Sequence, residues 1–289
     1  MTELDELSSH IASLEIGSSV PLRSEFRMPL LGLGVYQVTK PETISACLAA
    51  FEAGYRHIDS AQVYRNEAEV GIAFRQSGLR REDVFVTSKV NSRNHGFDKA
   101  TEWIDKSLRN FQMDYIDLFL IHDPFSGKER RLETWRALIK ARDEGKIRSI
   151  GVSNYSILHL EEIKKADLEL PVVNQLEIHP FCQQRPIVEW CRNHRVFVQA
   201  YCPLLRGQRW DNDLLVALSQ KYNKSVPQIL VRWSLQAGYS PLPKSTRAER
   251  IMSNARIFDF EIEIQDMVQL ELLDIGDQGA VSWNPTYAP

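Results

Sequence analysis

The chain has 289 residues, 43% of them hydrophobic and 25% charged, with a net charge of −3. This composition excludes a disordered or collagen-like chain, and the interspersed signs leave no basic stripe to dock on a nucleic acid. The start, MTELDELSSHIASLEIG, carries neither a basic nor an apolar leader region, and no apolar run approaches the length of a membrane span. Cys47, Cys182, Cys191 and Cys202 are scattered, which fits reduced thiols in the cytoplasm better than a disulfide framework. Cys191 and His194 have a metal-compatible spacing, but no second pair accompanies them, so no metal site is expected.

In chain order, LLGLGVY is strand-like and precedes a helical pattern around ISACLAAFEAG. RHID is followed by EAEVGIAFRQS, VFVTSK by DKATEWIDKSLRNF, YIDLFLIH by RRLETWRALIKARDEG, and IRSIGVSN by SILHLEEIKKA. VVNQLEIH then precedes RPIVEWCRNH, VFVQAYCPL precedes DLLVALSQKYN, and YSPLPKS precedes AERIMSNARIF. Eight strand-like runs, each followed by a helix-like one, predict parallel strands joined by helices. No linker or composition shift divides residues 1–289, so one closed domain of eight units is expected rather than an open sheet. An open dinucleotide-binding sheet would need a glycine-rich first turn, and Gly32-Leu33-Gly34 lacks the third glycine.

In a closed α/β barrel the chemistry is built where the strands end. The polar residues there are Asp59, Lys89, His122, Ser153 with Asn154, Gln175 with Glu177, Tyr201, and Lys244 with Ser245. None is a nucleophile with its own base. Tyr64 lies five residues beyond Asp59, on a loop from which a side chain can reach over the barrel mouth. PKSTRAER sets Lys244, Ser245, Thr246 and Arg250 around a strand end and a helix start, where free backbone N–H groups also favour an anion such as phosphate.

The segments HIDSAQVYRNEAEVG, VTSKV, FLIH, GVSN, VVNQLEIHP, AYCPL and LPKSTRAERIMSNARIFDF resemble, in that order, the aldo-keto reductases, over nearly all of the predicted units. The resemblance implies a single (β/α)8 TIM barrel, with an N-terminal β-hairpin, that uses NADPH (NADP+ in reverse) to reduce aldehydes or ketones without a metal. It makes Asp59, Tyr64, Lys89 and His122 the catalytic tetrad. Physically, the carbonyl oxygen must receive a proton as hydride reaches carbon. A lysine ammonium favours the neighbouring phenolate and a carboxylate keeps that ammonium charged, so Asp59 and Lys89 are expected to tune Tyr64 as the acid, with His122 orienting the carbonyl.

The same resemblance puts Lys244, Ser245, Thr246 and Arg250 on the adenosine 2′-phosphate and Asn254 near the adenine. Tyr201 stacks on the nicotinamide with Leu204 close by, and Ser153, Asn154 and Gln175 hydrogen-bond its carboxamide. Substrate-pocket candidates are Tyr36, Asp123, Trp210 and Trp283. The chain departs from the family where Asp123 follows His122 in place of the usual tryptophan, and where Cys202 replaces a serine. His57 and His179 read as structural. The expected partner is a small carbonyl substrate, with no nucleic acid or membrane, and the chain is expected to be a monomer or at most a weak dimer. Three rivals are a short-chain dehydrogenase built on Tyr36 and Lys40, which stand too early in the chain, a cofactor-binding regulatory subunit, and a structural or lens-type role for the same fold, which no feature of the sequence supports.

Overall fold

The computed structural model describes residues 14–289. An antiparallel hairpin comes first, β1 (Ser19–Pro21) on β2 (Arg27–Pro29). The barrel strands are β3 (Leu33–Gly34), β4 (His57–Asp59), β5 (Phe85–Val90), β6 (Ile116–Ile121), β7 (Ile147–Ser153), β8 (Val173–Glu177), β9 (Phe197–Tyr201) and β10 (Ser240–Pro241). They lie in chain order in one eight-stranded parallel sheet. The helices after β3 to β8 are α1 (Lys40–Glu52), α2 (Glu67–Ser77), α3 (Phe97–Phe111), α4 (Lys128–Asp143), α5 (Ile157–Lys165) and α6 (Arg185–Asn193). After β9 come α7 (Asp213–Tyr222) and α8 (Val226–Gln236), and after β10 come α9 (Ala248–Ala255) and α10 (Ile264–Glu271).

The sheet closes. Gly32 N–H donates to the Pro241 carbonyl at 3.2 Å and Gly34 N–H to the Pro243 carbonyl at 3.1 Å, joining first strand to last. A Cβ on Gly32 would sit 2.7 Å from the Leu242 side chain and 2.9 Å from the His57 ring. Gly32 thus leaves room for two side chains, and a Cβ on Gly34 would lie 3.3 Å from the Leu242 carbonyl, a use of glycine distinct from cradling a phosphate.

Period-two alternation along the strands sorts the side chains into two cores. On β6, Leu118 and Leu120 point inward with Phe85, Val173 and the hairpin's Met28, while Phe119 and Ile121 join the larger core beneath the helices. The hairpin thus plugs the bottom of the barrel, and the polar inward positions of β4, β5, β8 and β9 crowd toward the opposite end. The strand–helix alternation predicted from sequence is present in every unit. Two helices were not anticipated, α8 and α10. In α8 all residues from Gln228 to Gln236 are buried, including Gln228, Arg232 and Gln236 at helical spacing.

Candidate active site

A cavity of about 1990 Å³ opens at the carboxyl ends of the strands. At its floor Lys89 is fully buried on β5, and its Nζ donates to Asp59 Oδ1 at 2.5 Å and to the Ser60 carbonyl at 2.8 Å. An ammonium has three donors, so one N–H remains; Nζ lies 5.1 Å from the centre of the Tyr64 ring above it. Burial pushes the Lys89 ammonium down, and the Asp59 carboxylate pushes back. The other Asp59 oxygen accepts from Gln175 Nε2 at 2.8 Å, and the same nitrogen donates to Gln199 Oε1 at 2.7 Å. Asp59 is acceptor-only, so the nitrogen of the Gln175 amide must face it and the amide oxygen is left free for the cavity.

Tyr64 sits in a one-turn 3₁₀ helix, Gln62–Tyr64, which Arg65 closes in the left-handed region at φ 59°. Both flanks of the turn are tied down. Gln62 donates to the Trp103 carbonyl at 2.9 Å and to Ser107 Oγ at 3.1 Å on α3. Asn66 accepts from Ser60 Oγ at 2.8 Å and donates to the Val35 carbonyl at 2.9 Å. The phenol is held over the floor by a rigid loop. The Tyr64 and His122 rings stand edge to face at 5.7 Å, and Tyr36 flanks Tyr64 at 5.0 Å.

The electrostatics differ from the sequence expectation at Tyr64. Burial, with the Asp59 carboxylate adding to it, holds its phenol well above the ordinary tyrosine range. Desolvation of the phenolate is the largest of these causes. His122 is pushed well below the usual histidine range, by burial first and by Lys89 second, and is neutral at pH 7.

The other expected positions border the same cavity. Ser153 Oγ donates to the Gln175 carbonyl at 2.9 Å. Asn154 donates to the His122 carbonyl at 3.0 Å and accepts from Tyr201 OH at 2.8 Å, which fixes the Tyr201 ring. Asn154 and Cys202, one residue past β7 and β9, both turn left-handed (φ 63° and 52°), so the chain bends sharply as it leaves the barrel. Leu204 and Trp210 lie on the loop after β9, where Trp210 Nε1 donates to the Leu204 carbonyl at 2.9 Å. Asp123 borders the cavity with its oxygens accepting from Ser92 N–H and Phe125 N–H, both at 3.2 Å, so its charge braces two loops. The aromatic wall comes from Phe125 and Trp283, whose rings lie 5.3 Å apart, with Trp283 6.5 Å from His122.

Across the mouth, Lys244, Ser245, Thr246, Arg250 and Asn254 line the cavity, joined by Arg247, which sequence reasoning passed over although it lies inside the PKSTRAER motif. Lys244, Arg247 and Arg250 have no ion-pair partner among the described residues, a donor set that fits a polyanion. His57 and His179 are buried within the fold, the first on Thr87 Oγ1 and the second on Glu177 Oε1, each at 3.0 Å. Cys191 and His194 do not converge: His194 stacks on Trp190 at 3.8 Å, while Cys191 faces Asn174. Among the described residues no group of three or more His, Cys, Asp or Glu side chains is placed to hold a metal ion, and no helix is long and apolar enough to cross a membrane.

The family model described as "Aldo/keto reductase family" matches residues 30–275. The chain belongs to this family. A glyoxal reductase of Bacillus subtilis is 44% identical over 258 residues, covering 89% of this chain and 92% of that protein. Among solved structures, an aldo-keto reductase from a deep-sea metagenome library superposes with a TM-score of 0.89 at 36% identity, covering 94% of this chain and all of that one. A Bombyx mori aldo-keto reductase, solved in complex with NADP, gives a TM-score of 0.84 at 34% identity, covering 91% of this chain and 94% of that one. Aldo-keto reductases are oxidoreductases that generally reduce carbonyl groups with a nicotinamide cofactor.

Proposed function

We propose that the protein is an NADPH-dependent reductase of small aldehydes or ketones, with Tyr64 as proton donor, His122 as the orienting group and Asp59 and Lys89 beneath them. The observation that carries this reading is the buried Lys89–Asp59 pair set under the Tyr64 ring at the floor of the cavity. When bound, the reduced nicotinamide supplies the hydride.

The side chains of this protein do the rest. Tyr64 keeps its proton until negative charge develops on the carbonyl oxygen, and a donor that loses it only then spends no proton on bulk water. Neutral His122 offers an N–H to the same oxygen and fixes its direction. The third N–H of Lys89 is available to the phenolate that Tyr64 becomes, while Asp59 holds the ammonium in place for that moment. Gln175 presents its oxygen, and Asn154 and Ser153 their remaining acceptor capacity, to the carboxamide. Lys244, Arg247 and Arg250 hold the 2′-phosphate, which sets NADPH above NADH. One domain, a monomeric state and a cytoplasmic setting complete the reading; the four cysteines, all unpaired, suit a reducing compartment.

The test is NADPH oxidation over a panel of aldehydes, α-keto esters, diketones and sugars. Tyr64→Phe is expected to lower kcat by about 10²–10⁴-fold with NADPH affinity within a few-fold of the parent; near-normal turnover would remove Tyr64 from the role. Arg250→Ala is expected to weaken NADPH by about tenfold and leave NADH nearly untouched, and equal losses would sink the 2′-phosphate assignment.

A further inference from the structure

We propose that the β4–β5 side of the mouth binds an anion carried by the substrate, so that the preferred carbonyl compounds join an apolar body to a carboxylate. This rests on the reductase reading and narrows its substrate class.

The apolar half of the argument is a ring of uncovered side chains. Tyr36 (48%), Val63 (51%), Phe125 (51%) and Trp283 (50%) all line the cavity and all keep about half their surface in water. Single exposed apolar residues need no explanation, but four around one opening form a patch that a ligand would cover. They surround Tyr64 and His122, where the carbonyl must sit.

The charged half lies on the same side. Arg65 follows Tyr64 directly, and Arg93 sits in the turn Ser92–Asn94 after β5. The two loops are fastened together, because Asn94 Nδ2 donates to Gln62 Oε1 at 3.3 Å. Both arginines line the cavity, both are exposed, and neither guanidinium has a hydrogen-bond or ion-pair partner among the described residues.

The nearby carboxylates are spent elsewhere. Asp59 serves Lys89 and Gln175; Asp123 accepts from two backbone N–H groups; Glu67 is buried and accepts from Ser88 Oγ and Asn110 Nδ2. None of these carboxylates pairs with Arg65 or Arg93, so both guanidinium groups face the cavity without an ion-pair partner among the described residues. The cations suited to the cofactor phosphate stand on the loop after β10, two and three strands round the closed barrel from β4 and β5. A guanidinium fork matches a planar carboxylate in two parallel hydrogen bonds, and two forks beyond an apolar ring define an amphiphilic anion.

The experiment measures kcat/KM with NADPH on matched pairs: para-carboxybenzaldehyde against para-carbamoylbenzaldehyde, and ω-oxo carboxylic acids of rising chain length against their methyl esters. The best acid is expected to exceed its neutral partner by about tenfold at low ionic strength, chiefly through KM, and salt should erode the advantage. Arg65→Gln and Arg93→Gln should each lower the acid-to-neutral ratio about threefold, the double variant should bring it to about one, and Arg93→Lys should keep part of it. Quenching of tryptophan fluorescence by NADPH checks that each variant is folded. Ratios at or below one for every pair in the parent protein, or ratios unmoved in a folded double variant, would overturn the anion site while leaving the reductase intact. No turnover of acid or neutral compound alike would overturn the reductase reading, and this proposal with it.

Discussion

Lys89 commits two of its three N–H groups beneath the site and keeps the third. It is paired with Asp59 and bonded to the Ser60 carbonyl, and burial is the largest influence on the phenol above it. With Tyr64 held well above the tyrosine range and His122 well below the histidine range, neither changes charge near neutrality. The expected pH profile of kcat/KM for carbonyl reduction is therefore flat between about pH 6 and 9. A break near the ordinary histidine value would show that His122 titrates in the free enzyme. That Asp59, Tyr64, Lys89 and His122 meet at one end of the barrel was legible because complementary residue types fell on three successive strand ends and one adjoining loop. Gln199 was not. A glutamine inside VFVQAYCPL carries no local mark of the partner it meets across the barrel, although its oxygen fixes which way the Gln175 amide faces.

The elements show the same division between local and distant causes. Eight helices were legible as helix-like runs behind strand-like ones, whereas α8, buried from Gln228 to Gln236, and α10 were not, and β3 and β10 are only two residues each. His57 on β4 belongs to this scale. Burial pushes its imidazole down to about 4, where it packs against Phe85 and hydrogen-bonds Thr87. An unfolded histidine titrates near 6.5, so between about 6.5 and 4 the unfolded chain binds the extra proton and stability falls as pH falls; above that window the contribution is complete. The slope from one such group approaches about 1.4 kcal/mol per pH unit. Urea unfolding at about pH 7 and pH 5 should therefore show a smaller acid loss for His57→Gln than for the parent, and equal losses would place the acid sensitivity elsewhere.

Over the whole molecule, the mouth is shaped by a segment remote from it in sequence. Glu177 at the end of β8 accepts from Val281 N–H, from Ser282 N–H at 3.1 Å and from the Ser282 hydroxyl, and it also meets His179. Burial alone would raise this carboxyl, but the hydrogen bonds from His179, Ser282 and Val281 hold it below the usual glutamate value. Further along, His159 donates to the Ala288 carbonyl at 2.8 Å and buried Arg131 to the Pro289 carbonyl at 2.8 Å. The segment is latched at both ends, and Trp283 rides on it between them. Glu177→Gln keeps the size but puts an N–H where donors point. It should raise KM for apolar substrates about three- to tenfold, with kcat little changed, and quicken proteolysis near Val281. Unaltered KM would mean that Trp283 holds its place without the latch. Sequence alone could name Glu177 as a strand-end acid, but Val281 and Ser282, which it holds, lie about a hundred residues away.

The closing seam has a consequence of its own. Two backbone hydrogen bonds at Gly32 and Gly34 join β3 to β10, against the longer ladders elsewhere in the sheet. A cylinder breathes at its thinnest stave, so brief opening belongs here, between the unit that carries Tyr36 and the unit that carries Lys244. Anything lying across the mouth from one to the other would clasp the staves shut, and loading the enzyme would then do for the barrel what a hoop does for a cask.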